Sequence, residues 1–224
     1  MSSSVDPPSD RTDVAELARL IEVMRTLRSA CPWDAEQTHR SLVQYLIEET
    51  CEVVEAIEAL PAEPEPADHD HLREELGDLL LQVIFHSQIA AESDADFSAG
   101  AVARQVADKL VSRHPYVFSD GDVPDDLNAS WEERKAREKG RTSVLEGIPE
   151  QLSALARANK IISRSRSRSR SIALSLPDDP IDSDQVGREL IALVARAQAS
   201  GIDPEQAARD AVRRLETEIT QAGA

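Results

Sequence analysis

The chain has 224 residues and a formal net charge of −17, and only 3% of its residues are aromatic. That length supports one good core, or one domain with a smaller appendage. A field of this sign repels a phosphate backbone and speaks against nucleic acid as a partner, but it leaves room for a nucleotide substrate, because bound divalent cations invert the local sign.

Met1 to Asp10 is rich in Ser, Pro and Asp and lacks the basic and apolar regions of a signal peptide. Residues 1–11 therefore read as a disordered tail. No apolar run reaches the length needed to cross a bilayer, so no membrane partner is expected. Ala, Leu, Glu and Arg dominate, and β-branched alternation is nearly absent, which predicts an all-α fold.

The first helix is expected over Thr12 to Arg28, where Val14, Leu17, Leu20, Ile21, Met24 and Leu27 follow helical spacing. A break from Ser29 to Thr38 carries Cys31-Pro32-Trp33-Asp34. The second helix covers Ser41 to Leu60, and Pro61, Pro64 and Pro66 then forbid a helix. The third covers His69 to Glu92. Asp96 and Ser98 offer caps for a fourth, with Val102, Val106 and Leu110 on one face. A loop through His114-Pro115 leads to a short charged helix, Trp131 to Lys139, and Pro149 to Ser163 is helical again. Arg164 to Ser171 alternates Arg and Ser and reads as a solvated helix end and linker, spanning 163–181. Asp182 or Ser183 caps a helix to Ala199, Gly201 ends it, and Asp203-Pro204 opens the last one. Cys31 and Cys51 are the two cysteines, which suggests a reduced, cytoplasmic protein. Cys51, in mid-helix, reads as packed.

Two segments carry the chemistry. The second helix contains Glu48-Glu49-Thr50-Cys51-Glu52, and the third contains Glu74-Glu75-Leu76-Gly77-Asp78. Leu42, Leu46, Glu49 and Val53 fall on one helical stripe, so Glu49 lies in line with apolar residues. Leu79, Leu80, Leu81, Val83, Ile84 and Phe85 cover nearly the whole circumference of the third helix, as in an interior helix. Glu75, Asp78 and Gln82 interrupt that surface along one strip. Antiparallel helices facing each other across such strips bring Glu49, Glu52, Glu75 and Asp78 together, at high cost in a low-dielectric site. A hard cation bound by oxygen ligands, Mg²⁺ or Mn²⁺, removes the conflict. Glu55, Glu58 and Glu74 read as solvated. An apolar surface this wide on the third helix also predicts a homodimer.

The segments spell EExxE, twenty-two residues, then ExxD. Together with Cys31-Pro32-Trp33-Asp34, Gln37-Thr38, Tyr45-Leu46-Ile47, Leu79-Leu80, Gln82-Val83, Arg113-His114-Pro115, Val117-Phe118, and Trp131-Glu132 with Lys135, they resemble the MazG family of all-α nucleoside triphosphate pyrophosphohydrolases over residues 14 to 162. The resemblance implies Mg²⁺-dependent hydrolysis of a nucleoside triphosphate to the monophosphate and pyrophosphate, serving pool sanitation or control of nucleotide levels. It implies Glu49, Glu52, Glu75 and Asp78 as metal ligands, with Glu48 as an outer carboxylate or a base for the attacking water. Lys109, Arg113 and Lys135 are implied as phosphate ligands, with Arg134 weaker; each also reads as ordinary surface charge. Trp33 and Trp131 can stack on a base or anchor a loop. His39 and His114, without partners at ligand spacing, read as structural.

A hydrolase domain is thus expected over 12–162 and a small helical unit over 182–224. That unit resembles the second half of a worn repeat, in which Gln185-Val186-Gly187-Arg188 lines up with Glu75-Leu76-Gly77-Asp78 and has lost the ligands. Three alternatives stand beside the main reading. One is a related enzyme restricted to dUTP, dCTP or phosphoribosyl-ATP. Another is a di-iron bundle, for which only Glu36-Gln37-Thr38-His39 has the required motif. The third is a non-enzymatic interaction protein.

Overall fold

The computed structural model describes residues 10–167 and 180–222. The expected tail up to residue 9 and the expected linker over 168–179 lie outside the described residues. All described elements are helical: α1 (Asp10–Ala30), α2 (Pro32–Glu36), α3 (Val43–Glu58), a short 3-10 turn (Pro66–Asp68), α4 (His69–Ala91), α5 (Ala99–Arg113), α6 (Pro115–Phe118), α7 (Leu127–Glu138), α8 (Ala154–Ser167), α9 (Ser183–Ala199) and α10 (Pro204–Ala222). The expected all-α class holds. No described helix is long and apolar enough to cross a membrane. The chain divides into two compact units, the first ending at Ser112 and the second beginning at Arg113.

In the first unit α3 packs on α4. Leu42, just before α3, joins Met24 of α1 and Ile84 and Phe85 of α4 in a buried cluster, with Leu20, Ile21, Tyr45, Leu80 and Leu81 against it. Leu42 therefore meets the later turns of α4. Glu49 interacts with Asp78, and Glu52 with Glu75, so the pair is antiparallel. The larger core cluster lies where the start of α3 meets the later turns of α4, the acidic residues come next along the pair, and Val53 and Ala56 are buried on α3 beyond Glu52. The expectation that α4 is interior all round is not met within the chain: Leu76 and Val83 are exposed, as are Val14 and Leu17 of α1. Cys51 is also exposed, not packed. It stands two residues beyond Glu49, about 200° around the helix and off the Leu42–Val53 stripe.

A cation missed in the sequence holds the core end together. Arg28, whose side chain is 8% exposed, donates from Nε and Nη2 to the two carboxylate oxygens of Glu92 at 2.7 and 2.6 Å. Its Nη1 donates to the carbonyls of Asp34 and Gln37, and its guanidinium lies 5.8 Å from the Phe85 ring centroid. One side chain thereby ties α1, the C-terminal end of α2 and the residue that caps α4.

The second unit has its own core of Ile148, Ala154, Ile161 and Val212. Arg157 crosses it from α8 to Glu216 of α10 at 2.6 Å and also donates to the carbonyls of Ile148 and Pro149. The expected boundary near residue 162 is displaced, because α8 and α10 share this core. Helix α8 runs into the Arg/Ser stretch, so Arg164 and Ser165 are buried and are not a solvated helix end. Arg164 donates to the carbonyls of Val144 and Glu146 at 3.2 and 2.9 Å. The expected caps are in place: Ser98 accepts from the Ala101 N–H, Asp182 from Gln185 and Asp203 from Gln206. Gly201 has φ +70°, the left-handed conformation that ends α9.

Replacing Arg28 with Met keeps most of the apolar stem and removes the fork. Urea unfolding at neutral pH is expected to show a loss of about 1–3 kcal/mol. Hydrogen bonding to Arg28 holds the Glu92 carboxyl below its ordinary range, with the Arg28 charge adding to this and burial opposing it. The contribution of Glu92 is therefore complete above the unfolded carboxylate pKa and vanishes as pH falls through the depressed folded value. The difference between wild type and variant should shrink in that acid window.

Candidate metal centre

Helix α3 carries Glu48, Glu49 and Glu52, and α4 carries Glu75 and Asp78 one helical turn apart. Each of Glu49, Glu52 and Glu75 offers an oxygen, and these three lie within 4.8 Å of one another. Glu49 and Glu75 are half-buried, whereas Glu52 and Asp78 are exposed. The Glu75 side chain is only 12% exposed. Burial raises the pKa of Glu49, and the charges of Asp78 and Glu52, a hydrogen bond with Glu52 and the charge of Glu48 push it further up. Burial also raises that of Glu75; Glu52, Glu74 and Asp78 add to this and His71 opposes it. Asp78 thus acts electrostatically on both Glu49 and Glu75, although it is outside the three-oxygen group. All donors in that group are carboxylate oxygens, the donor set of Mg²⁺ or Mn²⁺, and a bound cation would relieve the repulsion that raises both pKa values.

Trp33, on α2, is 51% exposed and meets Tyr45 edge to face at 6.0 Å. Tyr45 stands one turn before Glu49 on α3, so an exposed aromatic surface borders the acidic one. Lys109, on α5, is half-buried. Arg113, Trp131 and Lys135 belong to the second unit. There Arg113 is buried, donates to Glu138 from Nε at 2.8 Å and from Nη2 at 2.6 Å, and lies 5.0 Å from the Trp131 ring centroid. Trp131 also packs on His114. Both are anchors of that unit in this conformation.

Two histidine contacts were missed in the sequence. His39 is not isolated: its Nδ1 lies 2.8 Å from Nδ1 of His86, with the rings stacked at 4°. His71 places Nδ1 3.2 Å from Oε1 of Glu75. The spacing of four residues on one helix was a readable signal for the second contact; nothing in the sequence joins residues 39 and 86.

Comparison with known proteins agrees with this geometry. Residues 37–118 match the family model described as the MazG nucleotide pyrophosphohydrolase domain. The nucleoside triphosphate pyrophosphohydrolase/pyrophosphatase MazG of Thermotoga maritima is 36% identical over 216 residues, covering 88% of this chain and 81% of that protein. An uncharacterized 26.1 kDa protein of Streptomyces cacaoi is 44% identical over 201 residues, 88% of this chain and 78% of that one. The nucleoside triphosphate pyrophosphohydrolase of Escherichia coli is 41% identical over 157 residues, 66% of this chain but 57% of its own length.

The raised carboxyls give a pH dependence of definite sign. A carboxyl whose folded pKa exceeds its unfolded value binds protons more tightly when folded. Its contribution is complete below the unfolded pKa and is lost as pH rises through the folded one. Melting temperature in EDTA should therefore increase as pH is lowered from neutrality toward the ordinary carboxylate range. Saturating Mg²⁺ should flatten that slope. A flat profile in EDTA would mean that Glu49 and Glu75 are not crowded in solution.

Proposed function

The chain belongs to the MazG family, and from that membership and the carboxylate geometry we propose that it hydrolyses nucleoside triphosphates to the monophosphate and pyrophosphate. The observation that carries the reading is the convergence of Glu49, Glu52 and Glu75 within 4.8 Å, with Asp78 acting on two of them. These four residues are the proposed ligands of Mg²⁺, with Mn²⁺ as the other fitting ion. When bound, the metal supplies charge neutralisation of the triphosphate and acidification of a water molecule.

The protein's own groups do the positioning. Glu48, close enough to act on Glu49, is proposed to orient the attacking water or to accept its proton. Attack at the α-phosphorus breaks the bond to the bridging oxygen and releases pyrophosphate. Trp33 is proposed as a stacking surface for the base, supported by its exposure beside Tyr45. Lys109 in the first unit and Lys135 in the second are each proposed to bind phosphate oxygens. Arg113 and Trp131 of the second unit are proposed as further nucleotide-binding residues, with Arg113 engaged by Glu138. A homodimer is proposed because Ile47, Val54 and Ile57 of α3 and Leu76 and Val83 of α4 are exposed apolar residues on the site-bearing helices. A cytoplasmic location is proposed from the sparse cysteines.

Hydrolysis of the common ribo- and deoxyribonucleoside triphosphates with Mg²⁺ should yield pyrophosphate as first product. Orthophosphate with a nucleoside diphosphate would refute the reaction, and activity on dUTP or dCTP alone would identify a narrower enzyme. Glu52→Ala and Asp78→Ala should abolish hydrolysis, yet melt no lower than wild type in EDTA, since each change relieves repulsion. Wild type should gain about 2.7 kcal/mol from Mg²⁺ at a hundredfold excess over its dissociation constant, and the variants much less. Light scattering should return twice the chain mass.

A further inference from the structure

Glu75 differs from the other carboxylates in having an imidazole beside it. His71 lies four residues earlier on α4, one turn away on the same face, with Nδ1 3.2 Å from Oε1 of Glu75. Glu75 also belongs to two groups of converging donor atoms, one with Glu49 and Glu52 and one with His71 and Glu74. Its side chain is 12% exposed and that of His71 59% exposed, so the imidazole stands on the solvent side of a largely covered carboxylate.

A free glutamate has three side-chain torsions, and repulsion from Glu52, Glu74 and Asp78 favours rotamers that swing Glu75 away from the cluster. Among the neighbours acting on its charge, His71 is the one that is not an acid. With a proton on Nδ1 the imidazole is in polar contact with Oε1 at 3.2 Å, and a small turn of the exposed ring makes that contact a hydrogen bond that fixes the carboxylate plane and aims the second oxygen. The contact is local to one helix and does not depend on the tertiary fold.

We propose that His71 is a positioning residue for the metal site: it holds the Glu75 carboxylate in the ligating orientation before the cation arrives. The proposal rests on the metal-site reading above. Outer contacts that orient a ligand change metal affinity by about 10–100-fold when removed. His71 is exposed and outside the buried core, so its replacement leaves the fold intact.

The test measures Mn²⁺ affinity by electron paramagnetic resonance, at one fixed and mildly alkaline pH, for wild type, His71→Ala, His71→Phe and His71→Asn. Melts in EDTA serve as the folding control. Asn carries an N–H donor near the position of Nδ1, whereas Phe keeps a ring without a donor. Ala and Phe are expected to weaken Mn²⁺ binding about tenfold or more, and Asn to stay within about threefold of wild type. Ala and Phe variants binding within that threefold margin would overturn the positioning role, as would an Asn variant as weak as Ala. A wild-type protein that binds no Mn²⁺ would instead sink the metal site itself.

Discussion

Like charges must be held close across two helices, and the arrangement of the first unit follows from that need. The carboxylate oxygens of Glu49, Glu52 and Glu75 lie within 4.8 Å of one another and repel, the more strongly where water is displaced from between them. The pairs act together, so without an ion α3 and α4 are pushed apart along their acidic stretch. Cohesion comes from Val53 and Ala56, buried beyond Glu52 on α3, and from the larger cluster at the start of α3. Met24, Leu42, Ile84 and Phe85 are buried there, each contributing about 1.5–3 kcal/mol. Arg28 adds a clamp across three segments at the same end. Apolar contacts close the helix pair on both sides of its acidic stretch, an arrangement that a bound cation would complete.

Helix α4 carries this division along a single strip. Glu75, Asp78, Gln82 and His86 follow one another at three- and four-residue steps, from the helix start toward the core end. The outer two are carboxylates in the site. The inner two are a buried amide and a half-buried imidazole whose buried Oε1 and Nε2, respectively, have no hydrogen-bond partner. An unmet buried polar atom costs about 1–3 kcal/mol. His86 carries a further constraint, since burial and the neighbouring His39 lower its pKa and favour the neutral ring. A neutral His86 can accept at Nδ1 from His39 and donate at Nε2. The polar strip thus grades from exposed or half-buried carboxylates to a buried amide and a half-buried imidazole on one face of α4.

Local features were the ones legible in the sequence. The long helices, their caps at Ser98, Asp182 and Asp203 and the stop at Gly201 follow from spacing and side-chain chemistry within a few residues, whereas the short helices α2 and α6 lie where a break and a loop are expected. Long-range partners were not legible. Arg28 and Glu92 are 64 residues apart, and nothing near either one announces the pair. Arg164 looked like part of a low-complexity run because alternation with Ser says nothing about which guanidinium turns inward to meet the carbonyls of Val144 and Glu146. Cys51 was misread for a related reason: mid-helix position does not fix burial, whereas angular distance from the packed stripe does.

The formal charge of −17 gains a physical meaning beside this site. An acidic surface with a cluster of unneutralised carboxylates repels a bare triphosphate at long range, and the repulsion is strongest where the reaction has to occur. The same field attracts divalent cations and raises their local concentration. A nucleotide that arrives already complexed with a cation carries less negative charge and meets a much smaller barrier. A cationic side chain that acts at contact distance, within roughly one Debye length of about 8 Å at physiological salt, leaves that long-range sign unchanged. A net charge of this sign thus repels polyanions at long range and repels less any ligand that arrives already paired with a cation. Carboxylates are the groups that can supply both this outer field and the inner ligands.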